Sequence, residues 1–298
     1  MKLAVTPFTV SSIKQLSDAG ADVFIIGNEA YANRLVNSFS LVEITEINQL
    51  IKSLGKEIYI NMNMIIHHSD IDSFTEFLTF TKGLDADGII FGDLGAYMMA
   101  RQMDLDSKLI YNPETLNTNY YDTTFWNKKG IKGLTISKEI TLEDIEEICE
   151  HKNVEISIIG HGHLNMFHSR RPLIENFFKY TKEEYDKFVD NKNLKIVEEI
   201  RNEEYPIYQD NHGTHIFRER SLESYKEVMQ LSECVDVFII DGIFKDDDYL
   251  LETVSNYYLI LNKKNERLAN KISKSYATDH DSGFLYKKTQ YDKFYGGV

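Results

Sequence analysis

Eight short apolar runs constrain the fold of this chain more than any other feature. Most are followed by a helical pattern, and they read KLAVTPF, ADVFIIGN, KEIYINMNMII, ADGIIFGD, KLIYNPET, KGLTIS, VEISIIGHG and VDVFIIDGIF. Their apolar residues are continuous rather than alternating, which is typical of parallel strands buried on both faces. Eight strand–helix units that close on themselves form a (β/α)8 barrel, so the sequence predicts a TIM-like barrel. An open, doubly wound sheet is the alternative, but no glycine-rich phosphate loop follows the first run.

A polar, tyrosine-rich segment between residues 163 and 221 interrupts this repeat. It contains two strand-like runs, LKIVEEI and YPIYQD. We therefore predict a barrel made of residues 1–162 and 222–262, with residues 163–221 as a β-rich insertion in the seventh βα connection. The basic, polar residues 263–298 are expected to form a tail that packs on the barrel or on a partner.

The net charge of −14 limits which partners the chain can bind unaided. A negative field repels phosphate backbones, so contact with nucleic acid requires a local basic patch or a partner subunit. The first apolar run is interpreted as a strand rather than a signal peptide, and no apolar stretch has the length needed to cross a bilayer. These features predict a cytoplasmic protein.

Polar residues are concentrated at the predicted C-terminal ends of the strands, which is the face on which TIM barrels carry their active sites. Glu114, His161 and His163 are the candidates for catalysis, and Asn61 and Asn63 are candidates for substrate binding. Further polar residues at these ends are Asp93, Ser137 and Asp241.

Carboxylates at three strand ends, Asp93, Glu114 and Asp241, are candidates for acid–base catalysis if they converge. Helix capping is the alternative for Asp93 and for Ser137. A serine or cysteine hydrolase has less support, because there is no GxSxG motif and neither cysteine follows a strand beside a histidine.

The segment IIGHGHLNMFHSRRP, residues 158–172, has the composition of a metal or anion site. In an extended chain His161 and His163 project to the same side, where they could share a metal. A zinc site would need a third ligand, for which His168 and His212 are available. Because the chain contains neither HExxH nor paired CxxC motifs, no metal is predicted, and a metal at His161 and His163 is left as the alternative.

The anion interpretation depends on Arg170 and Arg171 of the same segment, since the arginine fork binds carboxylate or phosphate in a bidentate manner. Both are therefore candidates for substrate binding, and exposed arginines that pair with nearby acids are the alternative. His212, with its neighbours Thr214 and His215, is expected to close the pocket from the insertion. A structural β-turn around Gly213 is the alternative for this stretch.

Several longer stretches share their pattern with one known family, namely AVTPFTVSSIKQLSDAGADVFIIG, NPETLNTNYYDTTFWNKKGIKGLTISKEITLEDIEEI, HGTHIF and SGFLYKKTQY. In these stretches the chain resembles the peptidase U32 (collagenase-like) family, in particular its short Bacillota-type members. The family signature runs from a strand through His-Gly and a small residue to two cysteines. The positions that hold this frame are His161, Gly162, Leu164, Ser169 and Arg171.

The cysteine positions of the family signature are not conserved in this chain. They are occupied by Asn165 and Pro172, and a later family cysteine corresponds to Glu223. Well-studied relatives resemble iron–sulfur proteins, and thiolates hold such clusters. Only Cys149 and Cys234 are present, so one chain cannot supply four thiolates. No iron–sulfur cluster is therefore expected in this chain.

The resemblance implies a role in RNA modification. Relatives are implicated in hydroxylating tRNA, ribosomal RNA or quinone precursors, and one group in forming 5-hydroxyuridine at the tRNA wobble position with prephenate as the proposed hydroxyl source. A cysteine-less member resembles the companion of a cysteine-bearing paralogue. We therefore expect a cluster-free subunit or accessory factor that contacts tRNA as part of a complex with such a paralogue. The alternatives are a U32 peptidase, with a metal as one option, and a barrel that binds a small carboxylate such as prephenate.

Overall fold

The computed structural model describes residues 1–184, 191–200 and 202–287, and its central feature is a closed barrel of eight parallel strands. The last barrel strand pairs with the first and closes the ring, so that Lys2 lies opposite Val237 and Val5 opposite Ile240. The TIM-like fold predicted from the sequence is confirmed. The barrel strands are β1 (Lys2–Val5), β2 (Val23–Gly27), β3 (Glu57–Met62), β4 (Gly88–Phe91), β5 (Leu109–Tyr111), β6 (Gly133–Thr135), β7 (Glu155–His161) and β13 (Val237–Ile240).

Helices surround the barrel and alternate with its strands. Among the described residues, no helix combines the length and the apolar character that crossing a membrane requires. Two short 3₁₀ turns cover His68–Asp70 and Asp106–Lys108. The helices around the barrel are α1 (Ser12–Ala19), α2 (Leu41–Ser53), α3 (Ile71–Leu84), α4 (Leu94–Arg101), α5 (Tyr120–Asn127), α6 (Leu142–Glu150), α8 (Val228–Leu231) and α9 (Asp247–Lys263).

The continuous apolar runs of the sequence are explained by two apolar layers, one on each face of the strands. Alternate residues such as Leu3 and Phe24 belong to the large core between the strands and the helices. The intervening residues fill the inside of the barrel, which is therefore packed rather than hollow. This inner layer consists of Ala4, Val23, Ile25, Tyr59, Ile90, Ile110, Val237 and Ile239.

Side-chain caps fix where several helices begin. Asp93 Oδ1 accepts hydrogen bonds from the backbone N–H groups of Gly95 and Ala96, at 2.6 and 3.2 Å, so this residue caps α4. The hydroxyl of Ser137 accepts one from the N–H of Glu139 within a turn, whereas the N-cap of α6 is Thr141. Asp93 is therefore a helix cap, as the alternative interpretation held. Ser137 is not a cap and stabilises the loop before α6.

The seventh βα connection contains the β-rich insertion that the sequence predicts. Its sheet is antiparallel with the order β8-β11-β10-β9, and the helix α7 (Leu173–Thr181) packs on it through Ile174 and Phe178. Because the connection follows the C-terminal end of β7, this sheet lies on the functional face of the barrel. Its strands are β8 (Asn165–Ser169), β9 (Lys195–Glu198), β10 (Glu203–Asp210) and β11 (Gly213–Phe217).

The chain beyond the barrel forms the helix α10 (Glu266–Tyr276) and the short strand β14 (His280–Asp281). Strand β14 pairs in parallel with β12 (Ser221–Leu222), which follows the insertion. The guanidinium of Arg218 donates to both carboxylate oxygens of Asp281, each at 2.8 Å. Residues 288–298 of the predicted tail lie outside the described residues.

A buried network of histidines and tyrosines joins this C-terminal segment to the barrel. The hydroxyl of Tyr249 lies 2.6 Å from Nε2 of both His161 and His280, so it donates to one ring and accepts from the other. The hydroxyl of Tyr257 accepts from the N–H of Ser224 and lies 3.0 Å from Nδ1 of His161. Burial lowers the pKa of His161, and the ring is therefore neutral.

We predict that Tyr249→Phe lowers the free energy of unfolding by about 2–3 kcal/mol, because two buried imidazole nitrogens lose their partner. Urea unfolding near neutral pH measures the change. Tyr258→Phe on the same helix is the matched control, since Tyr258 is exposed. Equal stability of the two variants would show that the network does not anchor the C-terminal segment.

Candidate functional site

A polar cavity opens at the C-terminal end of the barrel. Its volume is about 80 Å³, and residues in or just after β1 to β5, β7 and β13 line it, together with Asn165 and Phe217 of the insertion. Side chains from different strands meet here because the carboxyl ends of all eight strands face the same side. The polar lining residues are Thr6, Asn33, Arg34, Asn37, Asn61, Asn63, Asn112, Glu114, His163, Asn165 and Asp241.

An ion triad centred on Glu114 lies at the wall of the cavity, where Arg34 and Glu114 are lining residues. One carboxylate oxygen pairs with the guanidinium of Arg34, and the other accepts from the ammonium of Lys138 at 2.6 Å. Both cations are almost inaccessible, with side-chain exposures of 9% for Arg34 and 2% for Lys138. Burial raises the pKa of Glu114, but the two cations outweigh it and lower the pKa from 4.5 to about 2. Glu114 is therefore ionised near neutral pH.

Three loops at the cavity place a non-glycine residue in the left-handed backbone region. The φ angles are 55° at Arg34, 74° at Glu114 and 65° at Phe244. Each residue follows a different strand, and this conformation costs free energy for residues with a Cβ atom. Such strain persists only where surrounding contacts compensate for it, and it is concentrated at functional sites.

Asp210 at the end of β10 fixes the backbone of Arg34. Its carboxylate accepts from the N–H of Arg34 at 2.9 Å, from the N–H of His212 at 2.8 Å and from Nε2 of His215 at 3.2 Å. Burial raises the pKa of Asp210, but His215 and these N–H groups lower it to about 2. The ring of His215 in turn stacks on that of His168, with 4.5 Å between centroids. The insertion therefore determines where the cavity arginine lies.

Asp241 is the cavity group best suited to change its charge near neutral pH. Burial raises its pKa to about 6, although its Oδ1 accepts a hydrogen bond from the N–H of Ile243 at 2.9 Å. A carboxyl group whose pKa lies near the operating pH can donate and accept a proton, as an acid–base catalyst must. Burial lowers the pKa of the neighbouring His163 to about 4, so this ring is neutral under the same conditions.

Three of the asparagines that line the cavity differ in their hydrogen bonds. Asn63 Oδ1 accepts from the N–H of Asn33 at 3.0 Å, and Asn112 Oδ1 accepts from the N–H of Glu114 at 3.2 Å. The buried Oδ1 of Asn61 has no hydrogen-bond partner in the part of the chain that the structure describes. Because buried polar atoms are nearly always paired, this oxygen is a candidate to accept from a ligand.

The structure brings Asn61, Asn63, Glu114 and His163 together in the cavity, as their positions at the strand ends predict. His161 does not join them, since its two ring nitrogens bond to tyrosines of α9. Gly162 separates the two histidines with a φ of 125°, so the chain is not extended there and the expected same-side arrangement is wrong.

Arg170 and Arg171 do not line this cavity. Both are exposed at the end of β8, and the guanidinium of Arg170 donates to the backbone oxygen of Ile65 at 3.1 Å. His212 is buried beside the cavity and donates through Nε2 to the backbone oxygen of Glu29 at 2.7 Å. Thr214 has a structural position, because its hydroxyl donates to the backbone oxygen of Arg171.

Among the residues that the structure describes, the side chains do not fit a metal or cluster site. No group of three His, Cys, Asp or Glu side chains suited to a metal occurs among the described residues. The positions of the family cysteines have different surroundings: Asn165 lines the cavity, Pro172 is exposed before α7, and Glu223 is buried beneath α10. The carboxylate of Glu223 accepts from the N–H of Tyr225 and the hydroxyl of Ser273. This donor set, which lacks thiolates, does not fit an iron–sulfur cluster.

Sequence reasoning missed Arg34, Lys138 and Asp210, which fix the charges of the cavity. None of them lies directly at the end of a barrel strand or in a recognisable motif. No sequence pattern marks Arg34 as a residue with a left-handed backbone conformation. Asp210 contacts Arg34 only because the insertion folds back over the barrel.

Comparison with known proteins places the whole chain within one family. Residues 9–294 match the sequence profile of Peptidase family U32. The chain is 32% identical to tRNA hydroxylation protein P2 of Bacillus subtilis, over 97% of this chain and 99% of that protein. It is 27% identical to tRNA hydroxylation protein P of Escherichia coli, over 57% of this chain and 38% of that protein. It is 25% identical to tRNA hydroxylation protein P1 of Bacillus subtilis, over 53% of this chain and 37% of that protein.

We predict that Glu114→Gln destabilises the protein by about 3 kcal/mol near pH 7, because two buried cations lose their counter-charge. The folded-state pKa of Glu114 lies below its ordinary value, so its contribution is present above pH 4.5 and is lost as pH falls toward about 2. Urea unfolding across this range should show the difference between wild type and variant shrinking in acid.

Glu46→Gln is the control for this experiment, since Glu46 is exposed on α2. A pH-independent difference between wild type and Glu114→Gln would contradict the electrostatic origin of the effect.

Proposed function

The chain belongs to Peptidase family U32, and we propose that it is a cluster-free subunit or accessory factor in the formation of 5-hydroxyuridine at the wobble position of tRNA. The observation that carries this proposal is the 32% identity to tRNA hydroxylation protein P2, which extends over 97% of the chain. The two proteins match over nearly their whole lengths, so the likeness includes the insertion as well as the barrel.

The proposed partner is a longer, cysteine-bearing paralogue. Bacillus subtilis has two proteins named for tRNA hydroxylation, P1 and P2, and this chain spans only 37% of the length of P1. Asn165, Pro172 and Glu223 offer no thiolate for a cluster. In our proposal the iron–sulfur centre therefore belongs to the paralogue, and this chain supplies a second barrel.

The proposed task of the cavity is to bind a small carboxylate such as prephenate. Arg34 lines the cavity, and in this proposal its guanidinium binds the carboxylate of the ligand. Asn61 offers a buried acceptor to a ligand hydroxyl group. Asp241, whose pKa is about 6, is the residue that would exchange a proton with the ligand.

A peptidase mechanism has less support from the site. The residues that line the cavity include neither serine nor cysteine. Both nitrogens of His161 are hydrogen-bonded, so neither is free to bind a metal. The cavity therefore supplies no serine or cysteine nucleophile, and the described residues include no ligand group that would hold a metal-bound water for attack on a peptide bond.

We predict that a strain lacking this protein has less 5-hydroxyuridine or its derivatives in tRNA, as measured by mass spectrometry of tRNA nucleosides. Wild-type protein should restore the modification and Arg34→Gln should not, because the cavity loses its central cation. Arg170→Gln is the control, since Arg170 lies outside the cavity. Unchanged hydroxyuridine in the deletion strain would rule out this function.

We also predict that the native protein co-purifies with a cysteine-bearing paralogue, and that the iron of the complex belongs to that partner. Affinity purification under anaerobic conditions, followed by iron and sulfide analysis of the separated subunits, tests this. Stoichiometric iron and sulfide on this chain after reconstitution alone would contradict the proposed division of roles.

A further inference from the structure

A second cleft adjoins the cavity on the C-terminal face of the barrel. Its volume is about 460 Å³, and His163 lines both spaces. The other lining residues belong to the connection after β7, to the loop after β13, and to the segment just before β14. The cleft is therefore formed mainly by the loops that follow the seventh and eighth barrel strands.

Two cations of the cleft are available to a ligand. Lys245 is partly buried, and its ammonium lies 4.8 Å from the ring centroid of Tyr249. Burial lowers the pKa of Lys245. Arg220 lies on the rim and is exposed. Within residues 1–184, 191–200 and 202–287, neither side chain has a carboxylate at ion-pair distance, although Asp246 and Asp279 lie near enough to act on the pKa of Lys245. A desolvated ammonium without a directly paired carboxylate favours an anion.

The remaining charges of the cleft are already engaged. The ammonium of Lys195 pairs with Glu204 at 2.7 Å, and that of Lys192 donates to the backbone oxygen of Val36 at 2.7 Å. The carboxylate of Glu219 accepts from the N–H of Glu204. Asp279 is the exception, since it lies 3.4 Å from Nδ1 of His280 without a hydrogen bond to it and its charge acts on Lys245. The lining has four Lys and Arg residues against three acids, so it is locally positive in a chain of net charge −14.

We propose that this cleft binds a phosphate group, through Lys245 and Arg220. In TIM barrels the loops after strands seven and eight frequently form a phosphate site, and this cleft has that position. Resting on the proposed function, we assign the phosphate to the backbone of the RNA strand. Because His163 lines both spaces, a nucleotide with its phosphate in the cleft is adjacent to the cavity.

The test compares the full-length double variant Lys245→Gln/Arg220→Gln with wild type. Binding of a synthetic anticodon stem–loop RNA, and separately of uridine monophosphate, is measured at several salt concentrations. The cleft variant should bind the RNA roughly tenfold more weakly, because two charge-assisted contacts are lost. Its slope of log Kd against log salt should fall by ~0.7, the value for one single-strand phosphate contact.

The matched control is Lys128→Gln/Lys263→Gln, which removes two exposed lysines at the C-terminal ends of α5 and α9, on the opposite face of the barrel. Thermal unfolding of both double variants checks that they fold. The control should bind RNA as wild type does. A wild-type chain that does not bind the RNA at low salt, or a cleft variant that binds as tightly as the control, overturns the proposal.

Weaker binding of uridine monophosphate alone, with RNA binding unchanged, also overturns the assignment to an RNA phosphodiester. These outcomes are separate from those for the proposed function. If the cleft variant binds normally while the deletion strain still lacks hydroxyuridine, the cleft assignment fails and the proposed function stands. If the cleft variant loses RNA binding while the deletion strain has normal tRNA, the cleft assignment stands and the proposed function fails.

Discussion

The ion triad of Arg34, Glu114 and Lys138 is the interaction on which the functional face depends. It ties together the loops after β2, β5 and β6, and two of its three side chains are nearly inaccessible. Removing one member of a buried charge group leaves the others uncompensated, which costs far more than the loss of an exposed ion pair. The loops around the cavity are therefore fixed by electrostatics where the chain has no regular secondary structure.

The insertion belongs to this arrangement and is not a separate appendage. Asp210 accepts the N–H of Arg34 and helps to hold that residue in its left-handed conformation. His212 contacts the loop after β2 from the same side. A change within the insertion therefore reaches the cavity through Asp210 and Arg34, although the two residues are far apart in sequence. The same connection lines the second cleft, so one inserted sheet contributes to both spaces.

The sequence predicts the barrel well because buried parallel strands have a distinctive continuous apolar pattern, and eight repeats leave few alternatives. It also identifies Asn61, Asn63 and Glu114, since residues at strand ends of a barrel converge whatever the loops do. The sequence does not predict the site residues whose positions depend on loop conformation. The positive φ of Gly162 separates His161 from His163, and the course of β8 leaves Arg170 and Arg171 exposed. Arg34, Lys138 and Asp210 act through contacts between segments that no local pattern reports.

The closure of the ring by β1 and β13 has a consequence for how the protein is made. In the barrel sheet Lys2 pairs with Val237 of the last strand, so most of the chain must leave the ribosome before the first strand is covered on both edges. Until then the nascent protein exposes unpaired strand edges, which are prone to associate with other chains. Contacts so distant in sequence also slow folding. Biosynthesis of this barrel thus includes a long vulnerable interval, during which chaperones would be expected to shield the open sheet.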